Sequence, residues 1–247
     1  MMTLKEFISK LKKAQSSKTL YVLGGWGAPL TDSNKTRFIN KNSFNKNRSD
    51  MINAATDDTW AFDCVCLIKS IIWGWSADKT KTNGGAIYGN GMPDWGADGI
   101  FTRKYVYGIS KDFSQIQPGA VVHMSGHVGV YVGCGQVIEC TPKWKNCVQI
   151  SYLGNNPEYK KGNYRVWDEY GYLPCVDYTD GIKETPIKEK DKPEEKAKTI
   201  HTVVRGDNLT KIAYKYDTTI EKIIEDNIKK YPRITRNYIC VGWKLEV

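Results

Sequence analysis

The sequence predicts an α+β protein in two parts: a larger unit in which one buried helix packs on an antiparallel sheet, and a small β-α-α-β unit at the C-terminus. Three observations carry this. A run at 61–73 with helical spacing precedes consecutive β-prone strings at 120–141. The stretch 181–199 loses almost all its apolar residues. From 200 onward the pattern reads strand, helix, helix, strand.

The elements follow in order. Thr3-Leu4-Lys5-Glu6 is a capping-box pattern, and Leu4, Phe7, Ile8 and Leu11 recur at helical spacing, so 3–14 is predicted as an amphipathic helix. Tyr21-Val22-Leu23-Gly24-Gly25 reads as a short extended piece ending in a turn. Residues 28–57 are polar and without clear period, which predicts loop with short helical turns. In Ala61–Trp73, Phe62, Val65, Ile68 and Ile72 share a face, with Leu67 and Ile71 beside them; Gly74 ends this helix. Residues 83–103 set Tyr88, Pro93, Trp95 and Phe101 among glycines and suit aromatic-bearing loops. Strands are predicted at Ala120–Met124, His127–Val132 and Gln136–Thr141, with further β-prone pieces at 147–152 and 163–167.

The stretch 181–199 is nearly all Lys, Glu, Asp, Pro, Thr and Ala, and only Ile182 and Ile187 interrupt it. Too little surface can be buried there to offset the cost of ordering, and Pro186 and Pro193 disfavour a helix. A charged, extended tether is expected, dividing the chain into domains at 1–179 and 200–247 with a linker at 180–199. Beyond it, Ile200–Val204 is a strand, Leu209, Ile212, Ala213 and Tyr216 mark one helix, Ile220, Ile223 and Ile224 a second, and Val241–Val247 a closing strand.

With 247 residues, 40% hydrophobic and 26% charged, the chain can build a sizeable core and is not disordered throughout. No run approaches the ~18 apolar residues of a membrane helix, and the N-terminus has no apolar signal-peptide segment. No membrane insertion is therefore expected. The formal charge of +9 points to a polyanionic partner: nucleic acid, anionic lipid or an acidic cell wall. No recognition helix or aromatic RNA motif accompanies it, so charge alone speaks for nucleic acid. Seven cysteines and three histidines lack the paired spacing of a zinc site. No metal or cofactor is expected, and reduced thiols suit a cytosol.

Cys64 falls in the first turn of the predicted helix, where the dipole and open backbone N–H groups favour a thiolate and can stabilise an oxyanion. A nucleophile there needs a base. His127 opens a strand after a Ser-Gly break and can project toward such a helix N-terminus. A three-residue loop at 133–135 would pair Val132 with Gln136 and put Glu139 opposite Gly129. Glu139 is then a diagonal same-face neighbour of His127, placed to orient its ring in solvent or a cleft. His123 and His201 read as packing or surface residues.

These residues carry a resemblance. FDCVCLIK resembles the nucleophile helix of NlpC/p60-type, papain-like cysteine peptidases, GHVGVYVGCGQVIEC is similar to their histidine hairpin, and YVLGG to an upstream element, in the family's order. The resemblance covers most of 19–142 and implies a papain-like α+β domain with Cys64 as nucleophile, His127 as base, Glu139 as third polar residue and Tyr21 near the oxyanion site. Cys66 stands where the family usually has glycine, Glu139 where it has His, Asn or Gln, and Ala120 where aspartate is common. Asp63 and the aromatic residues Trp26, Trp95 and Tyr88 are expected in the cleft wall. The activity implied is hydrolysis of an amide in bacterial peptidoglycan, in the stem peptide or at the muramoyl–alanine link.

His201-Thr-Val-Val-Arg-Gly-Asp-Asn-Leu-Thr-Lys-Ile-Ala-Tyr, with Val241-Gly242-Trp243 after a second helix, resembles a lysin motif, LysM. That resemblance implies binding of N-acetylglucosamine-containing glycans by Gly206, Asp207, Asn208 and Leu209, with Ile234 opposite. Asp207 or Asn208 also suits a helix N-cap. The combined expectation is a phage-endolysin-type hydrolase of Gram-positive walls, held in the host cytoplasm until lysis. The alternatives are a muramoyl-alanine amidase using the same three residues and an inactive wall-binding protein.

Overall fold

The computed structural model describes residues 1–160, 162–179, 200–204, 207–216, 218, 220–228, 230–232, 234–235 and 238–247. They fall into two units, Met1–Glu184 and Thr185–Val247. The tether expected at 180–199 lies outside the described residues.

The N-terminal unit begins with β1 (Met2–Thr3) and α1 (Leu4–Ser16). Thr3 caps α1: its hydroxyl accepts the Glu6 N–H at 3.2 Å, satisfying an amide that a helix start leaves open. Leu4, Phe7, Ile8, Leu11 and Ala14 are buried, the stripe their spacing dictates.

β2 (Thr19–Tyr21), β3 (Trp26–Pro29) and β4 (Trp60–Phe62) form a small sheet in the order β2-β4-β3. Between β3 and β4 run α2 (Asp32–Lys41), α3 (Ser43–Lys46) and α4 (Ser49–Ala54). The loop reading of 28–57 is thus corrected, because α2 is a ten-residue helix. Its contribution to the local core is Phe38. Side-chain amides hold the segment instead. Asn34 Nδ2 donates to the Pro29 and Thr82 carbonyls at 2.7 and 2.8 Å, and Asn45 Nδ2 to those of Leu23 and Phe38 at 2.9 and 3.0 Å.

β4 passes through Asp63 into α5 (Cys64–Ile72), so Ala61 and Phe62 are strand rather than helix residues. After α6 (Gly99–Thr102) and β5 (Tyr107–Ser110) come β6 (Val121–Met124), β7 (His127–Gly133), β8 (Gln136–Thr141), β9 (Cys147–Leu153), β10 (Tyr164–Arg165) and β11 (Glu169–Tyr172). Their sheet has the order β10-β9-β8-β7-β6-β11-β5, and β12 (Val176–Asp177) pairs with β1. α5 and α1 pack on one face of it, over Val121, Val128, Val130, Ile138 and Cys140. On the other face Tyr131, Val137, Leu153 and Trp167 form a smaller cluster.

The β7–β8 turn differs from expectation. Gly133, not Val132, pairs with Gln136. The turn is Cys134-Gly135, at φ 51° and 71°, the mirror-image geometry whose twist suits a hairpin. A bulge between Tyr131 and Gly133 absorbs the extra residue, so Val130 still pairs with Ile138 and Gly129 falls opposite Glu139.

In the C-terminal unit β13 (Ile200–Thr202) pairs antiparallel with β14 (Lys244–Glu246). α7 (Leu209–Lys215) and α8 (Ile220–Asn227) close over Val203, Leu209, Ile212, Ala213, Ile223, Ile234 and Leu245. Asn227 ties α8 to β14, donating to the Glu246 carbonyl and accepting its N–H. Among the described residues no helix is long and apolar enough to cross a membrane.

Candidate active site

Asp63 caps α5 and fixes where Cys64 sits. One carboxylate oxygen accepts the Cys66 N–H at 2.6 Å and the other the Gly24 N–H at 2.7 Å, joining the helix to the turn after β2. Burial pushes the Asp63 carboxyl up, against those two donors. Cys64 follows at the first helical position, where the backbone N–H groups of Val128, Val65 and Cys64 itself favour the charged form of its sulfur. Burial, and then the neighbouring Asp63 charge, push this thiol up to about 12. Desolvation and the Asp63 charge thus oppose the helix terminus, which favours the thiolate. Cys66 is buried two residues further on, and burial raises its thiol as well.

Val128, the second residue of β7 and the neighbour of His127, lies in the same core cluster as Cys64. The imidazole Nε2 lies 2.6 Å from Glu139 Oε2. Its ring stacks on Trp167 at 5.5 Å and 13°, which covers that hydrogen bond. Nδ1 has no partner among the described residues. The diagonal placement of Glu139 beside His127 is thus present, but Glu139 faces neither solvent nor cleft, being 0% exposed. Arg165 Nε donates to its Oε2 at 2.7 Å, and the Ser151 hydroxyl donates to Oε1. Burial pulls the Glu139 carboxyl up, yet the His127 hydrogen bond and charge, with Arg165 and Ser151, hold it below the usual carboxylate range. His123 is built into the fold, between Asp98 at 2.9 Å and Glu169 at 3.0 Å and stacked on Phe101.

A cleft of about 710 Å³ opens over Cys64, lined by Tyr21, Asp63, Trp26 and Tyr88 as expected, together with Gly126. Tyr21 is raised well above its usual range, by burial first and by Cys64 and Asp63 next, so its hydroxyl keeps its proton as a donor. Trp95 does not line the cleft. Its neighbours Asp94, Gly96 and Ala97 do, while its ring turns to Tyr105 at 6.1 Å under the Arg103 guanidinium.

Sequence reasoning passed over Lys41, Lys69 and Trp73 in this cleft, and Arg165, Ser151 and Trp167 behind His127. Lys69 had a signal, as the one charge within the otherwise apolar and buried α5. It pairs with Asp94 at 2.5 Å.

In the C-terminal unit the residues expected to hold glycan have structural duties. Asn208 caps α7, accepting the Lys211 N–H at 2.9 Å. Asp207 Oδ2 accepts the Val204 N–H at 2.9 Å and lies 2.8 Å from His201 Nε2, whose Nδ1 is 3.1 Å from the Tyr216 hydroxyl. Leu209 and Ile234 are core side chains, 1% and 2% exposed, so only their main chains can reach a ligand. Gly206 lies outside the described residues.

The strand, capped helix, second helix and closing strand of this unit coincide with a match to the family model described as the LysM domain, over 201–247. Residues 201–247 form a LysM domain. LysM domains bind peptidoglycan and its N-acetylglucosamine glycans, which fits a cell-wall-binding role. No match to the chain was found among curated proteins.

Proposed function

We propose that the N-terminal unit is a cysteine hydrolase cleaving an amide of the peptidoglycan stem peptide, and that the LysM domain holds it on the wall. The observation that carries this reading is that neighbouring residues of β7 serve both halves of a thiol–imidazole site: Val128 shares the core cluster of Cys64, and His127 lies 2.6 Å from buried Glu139. The resemblance of 19–142 to NlpC/p60-type peptidases agrees with it.

In this reading the neutral thiol gives its proton to His127 Nδ1 as Cys64 Sγ attacks the scissile carbonyl carbon. The Cys64 N–H and the Tyr21 hydroxyl meet the oxyanion. Collapse breaks the C–N bond, and the proton on His127 leaves with the amine. Water, deprotonated by the same imidazole, then hydrolyses the thioester and restores the thiol. Glu139 holds the ring so that Nδ1 is the acceptor. An endolysin-type role, reaching the wall from the host cytoplasm at lysis, completes the reading.

Clearing of purified walls, followed by mass spectrometry of the released fragments, tests it. Cys64→Ala should reduce clearing by at least about a hundredfold while binding to walls persists. Clearing that survives the substitution would remove the cysteine mechanism, and a wild type that binds without releasing fragments would leave a wall-binding protein.

A further inference from the structure

The cleft beside Cys64 holds an ammonium group that the chemistry above does not use. Lys41 ends α2, where a cation is favoured by the helix C-terminus. Its Nζ stands 4.4 Å from the centre of the Trp26 ring, within the cleft lining. Gly24 makes room for it: a Cβ there would come within 3.2 Å of Nζ. Gly24 is also the residue whose N–H binds Asp63, so Lys41 is one residue contact away from the cap of the nucleophile helix.

The other charges in the cleft are accounted for. Lys69 and Asp94 neutralise one another at 2.5 Å. Asp63 is 4% exposed, with both oxygens taken by main-chain donors. Lys41 is exposed and has no carboxylate partner among the described residues. The cleft lining thus carries in Lys41 a cation with no carboxylate partner among the described residues, beside Trp26 and in the same lining as Cys64, Trp73 and Tyr88. A lysine ammonium is a compact point charge, and the anionic group that a peptide substrate carries is a carboxylate.

Resting on the cysteine-hydrolase reading, we propose that Lys41 is the specificity contact for a free carboxylate on the substrate, so that the preferred substrate is an acidic peptide with its carboxylate near the scissile amide. The probe is a pair of stem peptides identical except for one carboxyl group, free in one and a primary amide in the other. Wild-type kcat/KM should favour the free acid by about tenfold, through KM, the scale of one charge-assisted contact. Lys41→Gln should bring the ratio to about one, and Lys41→Arg should retain it. Equal rates for the two peptides in the wild type, or a ratio unmoved by Lys41→Gln, would overturn the assignment.

Calorimetric titration of both peptides into Cys64→Ala separates this from the hydrolase reading. Binding that favours the acid and depends on Lys41, without hydrolysis by the wild type, keeps the subsite and removes the enzyme. Hydrolysis with no dependence on Lys41 does the reverse.

Discussion

Arg165 keeps Glu139 from being an isolated charge in the interior. Glu139 has no exposed surface, and its carboxylate meets His127, Arg165 and Ser151. Removing one partner of such a group leaves a desolvated charge behind, which costs about 3–5 kcal/mol. Arg165→Met should thus destabilise the protein by about 3 kcal/mol in urea unfolding at pH 7, with Glu139→Gln in the same chain restoring part of the loss. Equal destabilisation in the single and double variants would mean that the contact of the Arg165 guanidinium over the Trp144 ring dominates. The pH dependence has a definite sign. The Glu139 carboxyl titrates below the usual range in the fold, so the network's contribution is complete above about pH 4.3 and is lost as pH falls through the folded value. Cys64, His127 and Glu139 were readable in the sequence because each belongs to a local pattern: a helix start, a strand start and a hairpin register. Ser151 and Arg165 were not, because they reach Glu139 from β9 and β10, whose registers in the sheet no local pattern assigned. The burial that pushes the Cys64 thiol up was not readable either, since a helix position is visible in sequence and the desolvation of the thiol is not.

The hairpin β7–β8 shows how much the backbone does for the site. Gly129 sits opposite Glu139, and a Cβ there would come within 2.6 Å of Val137 Cγ1 and 3.3 Å of Glu139 Cβ. Gly129→Ala should cost about 1–3 kcal/mol of stability, by thermal or urea unfolding, and should lower wall clearing by displacing Glu139 from His127. The register was legible because strand alternation is strict over the residues that matter, although the turn is one residue shorter than the glycines suggest. α2 was illegible for the opposite reason: buried amides of Asn34 and Asn45 hold that segment, and apolar periodicity does not report amides. In the LysM domain the Asp207 bridge between Val204 and His201 makes a comparable element-scale device. The Val204 N–H, and then His201, hold the Asp207 carboxyl below the usual range. Its contribution is therefore present above about pH 4 and falls away as pH drops through the folded value. Asp207→Asn should speed amide exchange across the described part of 200–204 in the full chain at pH 7 and make it less sensitive to acid. Exchange unchanged at pH 7 would assign the bridge no structural weight.

At the scale of the whole molecule, the hydrolase reading proposed above has the charge of +9 and the LysM domain act on encounter rather than on bond cleavage. A wall-binding module joined to a hydrolase raises the local concentration of scissile amides, and this effect depends on the insolubility of the substrate. The chain ended at residue 179 should therefore keep its kcat/KM on a soluble stem peptide within about twofold, because the residues around Cys64 and His127 all lie within 1–179. On intact walls at low protein concentration it should clear at least tenfold more slowly, the lower end of what tethering supplies. Raising salt should slow clearing of walls by the full chain and leave hydrolysis of a neutral soluble peptide nearly unaltered, since screening weakens attraction to a polyanion over distances beyond about 10 Å. If truncation slows both substrates equally, the C-terminal residues are needed for the fold or the chemistry of the first unit, and wall tethering is not what the LysM domain contributes to the rate.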